Sequence, residues 1–244
     1  MRQLNYQFFV AKNKLRRFAE NETFENLFQP TMSEVMNDDF HLKGKWRSDY
    51  FKNDNPIVLE LGCGKGEYSV GLAKIFPEKN FIGADIKGAR LWRGAKTAVE
   101  EKMSNVAFIR TRIEHIASFF APEEVDEIWV TFPDPQPREK KSKKRLTSSR
   151  FLNHYSKFLK PNGIVHLKTD SQALHAYTKT VIEYNNLKVN VCTNDLYATV
   201  KDDPILGIRT HYEQLFMEKG FTITYINFQL SHVGPFNEPD LQDE

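Results

Sequence analysis

The chain has 244 residues, a mass of 28.4 kDa and 40% hydrophobic residues, enough to bury roughly 70% of its unfolded surface in one core, so one domain with short appendages is expected. Its 34 Lys and Arg against 32 Asp and Glu leave a formal charge of +2, which excludes a global field drawing the whole protein onto nucleic acid or anionic lipid. Any polyanion site must be local. Two cysteines, Cys63 and Cys192, exclude a disulfide framework or a cysteine-rich zinc site, and the want of any long uninterrupted apolar run excludes a membrane-spanning helix.

Residues 1–55 read as a basic arm followed by a packed extension. Arg2, Lys12, Lys14, Arg16 and Arg17 face a single acid, Glu20, and the apolar residues from Phe24 to Trp46 are too few for a core of their own. Nothing near Met1 has the form of a signal peptide, so a reducing cytoplasm is the expected compartment.

A regular pattern begins at Pro56 and defines a domain over residues 56–233. A short apolar run at Ile57–Leu61 is followed by a glycine-rich turn and by helical periodicity to Phe76, stopped by Pro77. The cycle recurs with a strand at Phe81–Asp85, a helix from Gly88 to Lys102, and a strand after Asn105. Alternation of this kind argues for parallel strands joined by helices, an α/β fold. A short helix near Ile113 to Phe120, a strand at Val125–Phe132, a helix at Ser149–Leu159 and a strand at Ile164–Lys168 follow. A helix from Ser171 to Tyr184 then precedes two strands, Leu187–Cys192 and Phe221–Leu230, that need not be parallel. Residues 234–244 carry Glu238, Asp240, Asp243 and Glu244 with two prolines, and read as a loosely packed acidic tail.

Glu60, Gly62, Gly64 and Gly66 sit where the first parallel strand turns into a helix. The third glycine of a dinucleotide fingerprint would fall at Glu67, and the Walker loop is longer, so neither phosphate motif fits. An acid beside close-approaching backbone suits a cationic ligand instead. Asp85, ending the next strand, is placed to accept from ribose hydroxyls. Together these residues resemble the class I S-adenosylmethionine-dependent methyltransferase pattern. Arg112, Ile113 and Glu114, after the third strand, are candidates to frame the adenine, with a surface salt bridge the bland alternative for Glu114.

Asp134 lies between Pro133 and Pro135, after the fourth parallel strand and facing the same crevice. Arg138, Lys140, Lys141, Lys143, Lys144 and Arg145 follow it, a density of cations suited to a phosphate backbone. The histidines show no paired metal spacing, so no metal is expected. Trp129 and Phe132 read as strand packing, and Asp170 either caps the helix that follows it or reaches the crevice.

The order of these motifs resembles the bacterial tRNA (guanine-N7)-methyltransferase family over most of residues 45 to 230. That resemblance implies a three-layer α/β/α class I fold, mostly parallel, with an antiparallel edge strand. It also implies S-adenosylmethionine as donor and methylation of guanosine N7 in tRNA at variable-loop position 46. Asp134 matches an aspartate assigned to cofactor and catalysis. Arg138 falls at a substrate-binding lysine, Asp170 at a substrate-contacting acid, and Thr210, Tyr212 and Glu213 at a substrate motif. Gln136 stands where the family commonly has tryptophan, Lys141 where it has histidine, and Arg112 where many members have an acid. A methyltransferase for another RNA or a protein, or an RNA-binding protein without catalysis, are the alternatives. Monomer and homodimer both remain open, with no obligate protein partner expected.

Overall fold

The computed structural model describes residues 13–199, 208, 211–230 and 234–239. The first twelve residues of the basic arm, Thr210 and residues 240–244 lie outside them.

Strand β2 (Ile57–Leu61) is buried at every position, as a parallel strand covered on both faces must be. It passes through the glycine turn into α3 (Glu67–Ile75), and β3 (Asn80–Asp85), α4 (Gly88–Glu100) and β4 (Val106–Arg110) repeat the unit on one side of it. The chain then returns to the other side of β2 with β5 (Val125–Thr131), which pairs parallel with it. Reversal of direction at β2 opens a crevice outside the carboxyl ends of β2 and β5, the place where open parallel sheets bind ligands.

Beyond β5 the sheet continues with β6 (Leu159–Thr169), β8 (Thr224–Leu230) and β7 (Lys188–Thr193). The antiparallel strand is β8, paired on both sides, so it lies one strand in from the edge and β7 forms the edge itself. Helix α5 (Ser149–Tyr155) stops four residues short of the expected Leu159. Leu159 already pairs with Val125 of β5, and Pro161 pushes the residue before it toward extended backbone. The expected helix at Ile113 is a 3-10 helix, Ile113–Phe119. Helix α6 (Gln172–Tyr184) packs on β6 and β8, and the short α7 (Leu196–Thr199) and α8 (His211–Glu218) lead into β8.

The extension completes the domain instead of standing apart. Helix α1 covers residues 13–21 of the described chain, β1 (Leu27–Phe28) pairs parallel with β4, and α2 (Met32–Met36) opens on a capping box of Thr31 and Glu34. Trp46, in a π-helix over Trp46–Phe51, is fully buried and donates from its indole to the Phe119 carbonyl at 2.9 Å. Phe40, Leu42, Trp46 and Phe51 thereby share one core with β2, α5 and α6, while α3 and α4 cover the other face.

The start of the acidic tail is also packed. Phe236 is buried, the Asn153 side chain bonds both its N–H and its carbonyl, and Asn237 and Asn185 bond one another. The aromatic ring anchors a segment whose charge alone reads as solvated.

Candidate cofactor and substrate site

The three turn glycines all have positive φ: +75° at Gly62, +58° at Gly64 and +69° at Gly66, a region costly for residues with a side chain. A Cβ on Gly66 would lie 2.5 Å from the Phe108 ring, so this position also sets how closely α3 approaches the sheet. A Cβ on Gly64 would meet nothing within 4 Å. The turn therefore presents bare backbone to open space.

Asp85 ends β3 beside this turn. Its carboxylate accepts from the backbone N–H of Gly64 at 3.0 Å and of Lys87 at 2.7 Å, which fixes its direction. Glu60 has a different place. It is buried behind the turn, accepting from the backbone N–H and hydroxyl of Ser69 and from the Thr131 hydroxyl at 2.6 Å. Burial pushes its carboxyl up to about 7, against the pull of those hydrogen bonds. Glu60 thus ties β2, β5 and α3 together from beneath and does not line the cavity.

That cavity, of about 560 Å3, is walled by Gly62, Asp85, Arg112, Ile113, Glu114, Phe132, Asp134, Gln136 and Lys144, among others. The two halves read separately from the sequence meet in one hollow. Arg112 and Glu114 line it while standing 3.7 Å apart as an ion pair. Partial burial works to raise the Glu114 carboxyl, but its own backbone N–H and the Arg112 guanidinium outweigh this and hold it below its ordinary value. A smaller hollow of about 280 Å3 shares Ile86, Thr111 and Arg112 with the first and takes its far wall from Gln29, Pro30 and Met32 of the extension. Sequence reasoning missed Ile86, Lys87, Arg90 and Thr111 in these walls. Ile86 follows the strand-end acid directly, which is the signal that could have found it.

On the far side, Asp134 is exposed and accepts from the Gln136 N–H at 3.1 Å. Phe132 and Gln136, on either side of it, both have φ of +46°, a costly conformation for residues with a Cβ and one that gathers at functional sites. Trp129 is strand packing, stacked on His166 at 3.9 Å, and Phe132 packs partly buried against the same core while also lining the cavity.

The cations after Asp134 form a 3-10 helix, Glu139–Lys144. Arg138, Lys140, Lys141, Lys143 and Lys144 are exposed on and beside it, but Arg145 is buried and so does not belong to that exposed set. Asp170 is half-buried at the end of β6, and burial pushes its carboxyl up. The cap of α6 is Ser171, whose hydroxyl accepts from the Leu174 N–H at 3.2 Å, which leaves Asp170 uncommitted to capping. Glu213, in the first turn of α8, is fully buried and paired with the equally buried Lys168 at 2.9 Å. It also accepts from the Tyr197 hydroxyl. Tyr212 belongs to α8, and Thr210 is outside the described residues.

A doubly wound sheet with this turn and this cavity at its switch point is a methyltransferase fold of class I. The family model described as "Putative methyltransferase" matches residues 54–226. The chain is 54% identical over 235 residues, 96% of this chain and 92% of the other, to the tRNA (guanine-N(7)-)-methyltransferase of Bacteroides fragilis (strain YCH46). It is 36% identical over 186 residues, 76% and 85% of the two chains, to that of Oceanobacillus iheyensis. It belongs to the tRNA (guanine-N7)-methyltransferase family. Among solved structures, the 16S rRNA methyltransferase KamB covers 78% of this chain and 92% of its own at 16% identity with a TM-score of 0.57, a likeness of fold.

Proposed function

We propose that the protein transfers a methyl group from S-adenosylmethionine to N7 of a guanosine in tRNA, with variable-loop position 46 as the target. The observation that carries this reading is the single cavity that joins Gly62 and Asp85 to Asp134 and Lys144.

The residues present fit the donor. Bare backbone at Gly64 leaves room for close approach, and Asp85, held by two backbone N–H groups, keeps lone pairs directed at the cavity it lines. When bound, the donor supplies a methyl on a positively charged sulfur. Ile113 and Ile86 offer apolar walls for its base, Asp85 takes its ribose hydroxyls, and Glu60 stabilises the turn from behind.

Guanine N7 is already a lone-pair acceptor, so no residue has to remove a proton before attack. What remains is alignment of N7 with the methyl, a task of positioning. Asp134 and Asp170 orient the base, and a carboxylate near the ring stabilises the positive charge that methylation leaves there. Arg138, Lys140, Lys141, Lys143 and Lys144 take tRNA phosphates, which set register without reading sequence. Two free cysteines, one buried, suit work in the cytoplasm.

Incubation of unmodified bacterial tRNA with the protein and methyl-tritiated donor, followed by nucleoside analysis, tests the reading. Label in N7-methylguanosine of the variable loop is expected. Label in another nucleoside, or none, would overturn it.

A further inference from the structure

Of the six cations after Asp134, one is turned inward. Arg145 follows the last residue of the 3-10 helix, its N–H bonding the Ser142 carbonyl at 2.8 Å, and Ser142 and Arg145 are the buried positions of residues 139–145. Arg145 donates from Nε to the Gln136 carbonyl at 3.3 Å and lies with its guanidinium 4.2 Å from the centre of the Tyr177 ring on α6. Its outer edge meets Glu139 at 3.6 Å.

Gln136 is the residue whose backbone matters most here. Its N–H is the one held by the Asp134 carboxylate, its carbonyl is the one held by Arg145, and its φ of +46° is unfavourable for a side-chain residue. One strained peptide segment therefore couples the buried guanidinium to the exposed acid.

The anchor extends further. The Tyr177 hydroxyl donates to Glu238 of the packed C-terminal segment, and burial together with that carboxylate pushes the phenol upward. The other Glu238 oxygen accepts from the hydroxyl and backbone N–H of Ser149 at 2.6 and 3.2 Å, serving an orphan donor at the start of α5. Residues 136, 145, 177, 238 and 149 are thus joined by hydrogen bonds and one stacked pair.

We propose that Arg145 is a positioning residue, which holds Gln136 in its left-handed conformation and so aims Asp134 into the cavity, with Tyr177 and Glu238 as its footing. This rests on the methyl-transfer reading above only for its kinetic consequence. Lysine in this place keeps the charge but loses the planar stack and the fork of donors, so it separates positioning from phosphate binding.

The test compares Arg145→Lys and Tyr177→Leu with the Lys140→Ala/Lys141→Ala pair in the full chain. Three quantities are measured: single-turnover methyl transfer at saturating tRNA and donor, the salt dependence of tRNA affinity, and amide hydrogen exchange over residues 132–138 against β3 as internal reference. For Arg145→Lys and Tyr177→Leu, turnover falls roughly 10- to 100-fold, the salt slope keeps its wild-type value, and exchange in the loop accelerates while β3 is unchanged. The lysine pair flattens the salt slope instead. Arg145→Lys with wild-type turnover and exchange overturns the proposal, as does Arg145→Lys with the flattened slope of the lysine pair. Tyr177→Leu supplies the same decision if Arg145→Lys does not fold. Wild-type protein that methylates no tRNA refutes the functional reading alone, because loop exchange still decides the role of Arg145.

Discussion

On the donor flank of the cavity, Asp85 is 8% exposed and gripped by two backbone N–H groups, beside three glycines in left-handed conformations. On the acceptor flank, Asp134 is exposed, takes one backbone N–H from a strained neighbour, and is followed by five exposed cations. The first flank is built from backbone and the second from side chains. A small cofactor of constant shape can be held by a fixed turn, whereas a large polyanion needs charge that reaches into solvent. On the acceptor flank, residues of one type accordingly have different tasks, and burial decides which task each has.

The largest effect should come from the buried Lys168–Glu213 pair between β6 and α8. Lys168→Met strips the fully buried Glu213 of its cation, and urea unfolding should show a loss of about 3–5 kcal/mol, much of it restored in the double variant with Glu213→Leu. A stability loss below about 1 kcal/mol, with weakened tRNA binding, would return Glu213 to the substrate surface and erase part of the contrast between exposed and internal charge.

Asp134→Ala tests the exposed side of the same contrast. Rapid-quench turnover should fall about 100-fold, close to 3 kcal/mol of barrier, with cofactor affinity less affected than by Asp85→Ala. Turnover within about threefold of wild type would remove Asp134 from the chemistry.

The donor flank yields a smaller, pH-dependent signature. In the folded chain Glu60 keeps its proton up to about pH 7, against 4.5 for the ordinary carboxyl, so between these values the folded state binds more protons and stability declines as pH rises. Glu60 accounts for up to about 3 kcal/mol of that decline. Denaturation of Glu60→Gln at pH 5 and pH 7.5 should show the wild-type slope flattened, and an unchanged slope would mean that Glu60 is ionised in the fold.

The contrast also explains what could be read from residues alone. Gly62, Gly64, Gly66 and Asp85 were legible because backbone geometry prescribes those residue types at those places. Asp134 was legible through its flanking prolines and its position after a parallel strand. Arg145 was not, since it stands just past the end of a 3-10 helix and no local pattern separates it from the five exposed cations before it. Glu60 was legible as part of the turn, but its partners were not. Its partners, Ser69 and Thr131, come from α3 and β5, and no local pattern announces them. Glu238 carried the charge of a tail, and the nearby Phe236, a single aromatic between prolines, gave the only local sign that the segment packs.

If the cavity between these two flanks is where the lone pair of guanine N7 takes the methyl group, removing that lone pair abolishes transfer. A tRNA transcribed with 7-deazaguanosine in place of guanosine keeps its phosphates and loses that lone pair. Methyl incorporation into this transcript under saturating, cofactor-loaded conditions is the most direct measurement. Binding comparable to the normal transcript and no incorporated methyl are expected; incorporation at the normal rate would rule out transfer to N7.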